Sequence, residues 1–304
     1  MASREMQDFA AMMRAQREAG TGVEPTPEEA RVAFADTLAA LPPVPGGRAE
    51  AVDAGGVPAE WVHLDGAAET AGTLLYLHGG GYMQGSPVTH RRLVTALAGA
   101  AGVRALSVDY RLAPEHPFPA ALDDALAAYR WLTGPAGESP ARVVVSGDSA
   151  GGGLSAALLL ALRAGGDPLP AGAYLISPWT DLAGTGESMR TRAGADPMLD
   201  PDGLVPTGRL YRPEGDLADP LVSPVYADLA GLPPLLVHVG DAEILLDDTT
   251  RLVERARAAG VAVESEIWPE AFHVFQMLVG LVPEADEAVA QAGAWMAKRL
   301  AAAA

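Results

Sequence analysis

The run Arg142-Val143-Val144-Val145-Ser146 leads directly into Gly147-Asp148-Ser149-Ala150-Gly151, and Gly152 to Arg163 follows, rich in Ala and Leu and free of Pro. β-Branched residues favour a strand, and Ala and Leu favour a helix. The G-x-S-x-G pentapeptide therefore stands on a strand-to-helix turn. Such a turn holds a serine in a strained backbone conformation, with its hydroxyl exposed and the next amide aimed at a substrate. The pentapeptide alone could be a Gly-rich turn that happens to contain Ser. Its flanks select the reading in which Ser149 is a nucleophile.

Well upstream, Thr73-Leu74-Leu75-Tyr76-Leu77 reads as a buried strand and runs into His78-Gly79-Gly80-Gly81. Acyl transfer builds negative charge on a carbonyl oxygen, which preorganised backbone N–H groups stabilise. Consecutive glycines allow that close approach because no Cβ intervenes. A flexible glycine loop is the blander reading of HGGG, and the serine turn farther along weighs against it. His78 is expected to be structural, holding the glycine loop by hydrogen bonds.

A serine nucleophile needs a general base and an acid that orients it, in the order Ser, Asp or Glu, His. Of six histidines, two lie beyond Ser149. His238 sits inside Leu235-Leu236-Val237-His238-Val239, an apolar run that reads as a central strand, and is expected to be a core histidine. His273 follows the strand-like run from Val261 to Trp268, in the loop Pro269-Glu270-Ala271-Phe272, and is the expected base. Asp241, just past the 235–239 strand, is the expected acid, with Glu243 its nearest rival. Asp247 and Asp248 precede the helical run Thr249 to Ala259 and suit its positive N-terminal end.

Strands recur near 61–64, 73–77, 104–109, 142–146, 173–176, 235–239 and 263–268, with helical stretches such as 88–100 and 120–132 between them. That alternation predicts an α/β fold with a mostly parallel sheet covered on both faces, with ligands at the C-terminal ends of its strands. Met6, Phe9, Ala10 and Met13 fall at helical spacing, and a second helix is expected from Pro27 to about Ala40. The 304 residues show no linker and read as one domain. The absence of Cys excludes disulfides, thiol catalysis and thiolate metal sites. No H-E-x-x-H or His-rich cluster points to a metallohydrolase. A net charge of −18 repels nucleic acid and anionic membranes. Met1 to Gly20 carries charges throughout and lacks an apolar core of signal-peptide length, so a soluble cytoplasmic protein is expected.

The chain resembles the bacterial hormone-sensitive lipase-like (family IV) esterases of the α/β-hydrolase superfamily. The resemblance is carried by His78-Gly79-Gly80-Gly81-Tyr82, by the run from Asp109 to Ala120 (DYRLAPEHPFPA), by Gly147 to Gly152, by Ser177-Pro178-Trp179-Thr180-Asp181, and by Asp241 with His273. It implies Ser149 as nucleophile, His273 as base, Asp241 as its partner, and the amides of Gly80, Gly81 and Ala150 as the oxyanion hole. The family's acid usually stands in Asp-Pro-Leu-x-Asp-Glu, where this chain has Asp241-Ala242-Glu243-Ile244-Leu245-Leu246-Asp247-Asp248. Its histidine is often followed by Gly-Phe, here Val274-Phe275. These variants resemble a branch that includes ε-lactone hydrolases, so a lactone is the alternative to a short- or medium-chain ester as substrate. A non-catalytic receptor on the same fold is a third reading, which the retained Ser, acid and His argue against. The resemblance also implies an α-helical cap built from about 1–44 and 181–212, over a core formed by the remainder. Substrate contacts are assigned to Met6, Phe9, Met13, Tyr82, Met198 and Tyr211. No metal or organic cofactor is required. The expected partner is a small-molecule ester or lactone, with a homodimer as one assembly open to the chain.

Overall fold

The computed structural model describes residues 2–19, 26–66 and 72–302. The ends of the charged N-terminal stretch, Met1 and Gly20, lie outside them. Eight strands form one sheet: β1 (Gly47–Asp53), β2 (Pro58–Leu64), β3 (Thr73–Leu77), β4 (Arg104–Val108), β5 (Val143–Asp148), β6 (Gly172–Ile176), β7 (Leu235–Gly240) and β8 (Val263–Trp268). Their order is β1-β2-β4-β3-β5-β6-β7-β8. The β1–β2 and β2–β4 pairs are antiparallel, and every pairing from β4 through β8 is parallel.

The helices among the described residues are α1 (Arg4–Glu18), α2 (Pro27–Ala39), α3 (Pro87–Ala101), α4 (Ala120–Thr133), α5 (Ala150–Gly165), α6 (Ser188–Thr191), α7 (Pro201–Tyr211), α8 (Leu246–Ala258) and α9 (Pro283–Ala301). Successive strand residues point to opposite faces, and this divides the core. Leu75, Leu77, Val143, Val145, Leu175 and Val237 pack with α4, α5 and α8. Leu74, Tyr76, Val144, Tyr174, Ile176 and Leu236 pack with α3 and α9. Covering both faces explains why β3, β5, β6 and β7 are buried along their whole length and read as continuous apolar runs rather than alternating ones.

The seven expected strands are all present, and the sheet is mostly parallel as expected. The strand β1 is an addition. Its sequence, Gly47-Arg48-Ala49-Glu50-Ala51-Val52-Asp53, lies on an exposed edge. It buries too little to need an apolar pattern, so nothing in it signals a strand.

The order of the strands positions the site. From β3 the chain moves to β4 on one side, then returns to place β5 on the other. The crevice at such a switch point opens at the carboxyl ends of the strands. Leu77 pairs with Gly147 at that end, so the loop after β3 and the turn after β5 emerge side by side.

The first helix anchors elsewhere. Met6 and Ala10 are buried against Trp268, Ala271, Phe272, Phe275 and Leu278, at the end of β8 and in the segment that follows it. Ser3 caps α1 through the Met6 amide and is tied to Glu284 of α9 by its own amide and hydroxyl. Met6→Ala should therefore lower the unfolding free energy by about 2–5 kcal/mol, the usual cost of truncating a fully buried Met. The denaturant midpoint would show it, and an unchanged midpoint would mean that α1 is not docked in solution.

Candidate active site

Ser149 sits between β5 and α5 with φ 53° and ψ −121°, a conformation a non-glycine residue adopts only when its surroundings enforce it. Here the surroundings are backbone. The Ser149 amide donates to Ile176 O at 2.9 Å, and its carbonyl accepts from Trp179 N at 2.9 Å and Gly153 N at 3.1 Å. A side chain at Gly151 would strike the carbonyl oxygens of Leu77 and His78, so the second motif glycine lets the turn close onto the β3 loop. Ser149 is only half-buried, which leaves its hydroxyl presented at the crevice.

His273 faces it. Nε2 lies 2.9 Å from Ser149 Oγ, and Nδ1 lies 2.6 Å from Glu243 Oε2. The carboxylate hydrogen-bonded to His273 is therefore Glu243 and not the expected Asp241. Asp241 does follow β7, but its Oδ1 accepts the Glu270 amide at 2.6 Å and its own amide donates to Trp268 O at 3.0 Å. It closes the turn that leads to His273 without touching the imidazole. Glu243 is fully buried, and its side chain folds back toward the strand end. Oε1 accepts from Gly240 N at 2.7 Å and from Ser177 Oγ at 2.7 Å.

The motif itself holds the signal for Glu243. In Asp-Pro-Leu-x-Asp-Glu the acid is followed by Leu two residues on and by acidic residues at four and five. Glu243 has Leu245, Asp247 and Asp248 at those offsets, whereas Asp241 has Glu243 and Leu245 at two and four. Strand-end placement favoured the wrong carboxylate because the turn after β7 reverses and brings the later residue inward. Ser177 is a residue to which the sequence assigned no role of its own. Its hydroxyl donates to Glu243 and accepts the Val274 amide at 3.2 Å. It thus holds Glu243 and the residue after His273, and Val274 carries φ 53°, unfavourable for a β-branched side chain.

Burial opposes the imidazolium at His273, but the Glu243 carboxylate outweighs it and raises the pKa above the ordinary histidine value; Asp196 and Asp148 act in the same direction. His78 behaves oppositely. It is buried, and desolvation, helped by His90, lowers its pKa to about 3. Its Nδ1 lies 2.8 Å from Gly79 O, its ring stacks on Tyr110 at 4.2 Å, and Tyr110 Oη donates to its carbonyl at 2.6 Å. These contacts agree with a structural His78. His238, also buried, meets Tyr174 Oη through Nδ1 at 3.1 Å, as a core histidine.

The glycine loop is tied to the serine turn by Asp148, the variable position of the pentapeptide. Its Oδ1 accepts Gly79 N at 2.9 Å and Tyr76 Oη at 2.6 Å, and Oδ2 lies 3.3 Å from His90 Nε2. The Gly79 amide is thereby occupied. Gly80 and Gly81 take φ 120° and 64°, and the loop closes by Met83 N and Gln84 N donating to Gly80 O at 3.0 Å each. Ala150 is the first residue of α5, where N–H groups have no partner within the helix. Arg31 of α2 braces this loop from outside: Nε donates to Met83 O at 2.8 Å, Nη2 to Ala113 O at 2.9 Å, and the guanidinium forks onto Glu115. Arg111 instead pairs with Asp124.

The six assigned substrate contacts fall in different parts of the fold. Met6 is buried under the His273 loop, with Phe9 and Met13 half-buried at the edge of that cluster. Tyr82 and Tyr211 are buried and stacked on each other at 3.8 Å, with Trp179 against Tyr82. Met198 is exposed. Among the described residues no group of His, Asp and Glu is arranged to hold a metal ion, and no helix is long and apolar enough to cross a membrane.

A hydroxyl, an imidazole and a buried carboxylate in one hydrogen-bonded line suit general-base activation of the serine. Glu243→Gln should lower kcat by on the order of 10³ to 10⁴, and Asp241→Asn far less. A carboxylate beside Nδ1 stabilises the cation and raises the histidine pKa. The acidic limb of kcat/KM should therefore move to lower pH in Glu243→Gln and stay in place in Asp241→Asn. Paired pH–rate profiles decide it, and the reverse ranking would restore Asp241.

The comparisons with known proteins agree with this architecture. A family model described as alpha/beta hydrolase fold matches residues 74–277. An acetyl-hydrolase of Streptomyces hygroscopicus is 48% identical over 247 residues, covering 81% of this chain and 82% of the relative. An esterase of Acinetobacter venetianus is 40% identical over 218 residues, 71% of this chain and 72% of its own. The crystal structure of an esterase from the bacterial hormone-sensitive lipase family superposes with a TM-score of 0.94 at 44% identity, covering 99% of both chains. EstE5 soaked with p-nitrophenyl butyrate gives 0.93 at 41% identity, over 99% of this chain and 100% of that one. The chain belongs to the α/β-hydrolase fold family and, within it, to the bacterial hormone-sensitive lipase-like carboxylesterases.

Proposed function

We propose that the chain hydrolyses short- to medium-chain carboxylic esters through Ser149, His273 and Glu243. The observation that carries this reading is the line from Ser149 Oγ to His273 Nε2 at 2.9 Å and from His273 Nδ1 to Glu243 Oε2 at 2.6 Å. Ser149 attacks the ester carbonyl as His273 takes its proton. Glu243 fixes the tautomer that leaves Nε2 free to accept, and stabilises the cation formed. Charge on the tetrahedral oxygen is received by the amides of Gly80, Gly81 and Ala150. His273 then protonates the leaving alcohol, and water, activated by the same imidazole, releases the acid.

The short-chain preference draws on two supports. One is the relative named an acetyl-hydrolase and the neighbour soaked with a butyrate ester. The other is the pair of helical segments, α1–α2 and α6–α7, which would roof the crevice as a cap. Arg31 ties α2 to the glycine loop, and Arg14 and Arg17 of α1 reach the carbonyls of Ala195, Asp196 and Leu199 between α6 and α7. A roofed pocket admits acyl chains of roughly two to eight carbons.

Ser149→Ala should lose on the order of 10⁴ or more in kcat with the fold intact, and PMSF, which a relative of known structure carries in EstE5-PMSF, should inactivate the wild type. Turnover of p-nitrophenyl acetate and butyrate should exceed that of palmitate, and an ε-lactone in the same panel separates ester from lactone hydrolysis. Undiminished turnover by Ser149→Ala would refute the nucleophile. Strong turnover of long-chain triglyceride emulsions would refute the chain-length limit.

A further inference from the structure

Asp196 lies between α6 and α7, far in sequence from the serine, the acid and the histidine, and is fully buried. Its carboxylate accepts three backbone amides. Oδ1 takes Met198 N at 2.8 Å and Leu199 N at 2.9 Å, and so shapes its own loop. Oδ2 takes Ile244 N at 2.9 Å, the amide directly after Glu243. A second stitch lies alongside: Ser188 Oγ donates to Ile244 O at 2.6 Å and accepts Asp247 N at 2.9 Å. Both polar groups of the Ile244 backbone are thus held by the 188–199 segment. From the outer side, Arg14 Nη2 donates to Ala195 O at 2.9 Å, and Arg17 Nη1 donates to Asp196 O at 2.9 Å and Leu199 O at 3.2 Å. A continuous set of contacts therefore runs from α1 through Asp196 to the peptide after Glu243, and from Glu243 to His273.

We infer that Asp196 is a positioning residue that couples the α1 and 188–199 segments to the acid, so that the docking of these segments sets the orientation of Glu243 and His273 as well as shaping the substrate pocket. The inference rests on the reading of Glu243 as the acid. A buried carboxylate without its full set of donors is costly, and a buried amide without an acceptor likewise. The arrangement therefore holds as a unit or shifts as one. A displacement of even about 1 Å at the acid turn would misalign Glu243 Oε2 and His273 Nδ1, and errors of that size cost about 100-fold in rate. The charged groups that bear on His273 are Glu243 from the acid turn, Asp148 at the end of β5, and Asp196 itself.

Asp196→Asn tests this with little change of shape. One side of an amide can accept Met198 N and Leu199 N, but its NH₂ would then face Ile244 N–H, donor against donor. The expected result is a loss of roughly 10- to 100-fold in kcat on p-nitrophenyl butyrate. KM should stay within about twofold, and the acidic limb of kcat/KM should move to lower pH as a negative charge leaves the neighbourhood of His273. A variant with a lowered melting temperature but unchanged kcat and pH profile would overturn the inference, because Asp196 would then be structural only. A raised KM at constant kcat would also overturn it, by making the residue part of substrate binding. Should Asp196→Asn not fold, Arg14→Ala/Arg17→Ala reads the same coupling from the exposed side. A fall in kcat without a change in KM supports the coupling, and any other kinetic outcome sinks it. Glu243→Gln, measured in parallel, keeps the two readings apart. If it leaves kcat intact, the triad assignment fails. If it is crippled while the Asp196 and Arg variants are not, the coupling alone fails.

Discussion

A carboxylate taken wholly out of water has to be met by donors, and the Glu243 side chain is in that position. Its oxygens are met by the Gly240 amide at the end of β7, by Ser177 Oγ just past β6, and by the His273 ring in the loop after β8. Three strand ends converge on one buried group. Losing one of them would leave the buried carboxyl group short of a donor, at a cost of about 1–3 kcal/mol. Ser177 carries the constraint further by accepting the Val274 amide, so the residue after His273 is fixed by the hydroxyl that fixes Glu243. The position of the imidazole thus follows from the need to satisfy one buried charge.

The opposite wall is built on a second buried carboxylate. Asp148 joins the glycine loop to the serine turn by accepting Gly79 N, and it is held in turn by Tyr76 and His90. Burial pushes its pKa up, but His90 and the hydrogen bonds outweigh this and keep it below the ordinary carboxylate range. Glu243 and Asp148 are both internal carboxyl groups, one meeting His273 and the other tying down the glycine loop. Each sits where neighbouring parallel strands end together. The strand order around β3 and β5 makes this convergence available, and the glycines let the two loops approach within backbone contact.

Local signals carried much of this. The β5–Ser149–α5 turn and the β3–HGGG loop were legible because each is a continuous stretch in which strand residues, glycines and helix residues follow one another. The parallel strands were legible because burial on both faces demands unbroken apolar runs. His273 could be picked out because only two histidines follow Ser149 and His238 lies within such a run. The strand β1 left no trace for the complementary reason, since a mostly exposed edge strand needs no apolar pattern. Tyr82 and Tyr211 stack on each other, and Met6 packs beneath the His273 loop.

What the amino-acid sequence determined by itself is the set of elements and the order of the chemical groups along them: a serine on a tight turn, an upstream glycine loop, a late histidine, and two carboxylates within three positions of each other. Those properties depend on neighbours in the chain. The spacing of Leu245, Asp247 and Asp248 after Glu243 already favoured it, but its contact with the histidine is made only by the tertiary structure. Asp241 and Glu243 both leave the same strand end, but the turn after β7 folds Glu243 inward, where Gly240, Ser177 and His273 supply its donors, and leaves Asp241 to bind the Glu270 amide. The same holds for Asp196, whose partner at Ile244 lies 48 residues away. A buried charge chooses its place by the donors it finds in space, and those donors come from strands that only the folded sheet brings together.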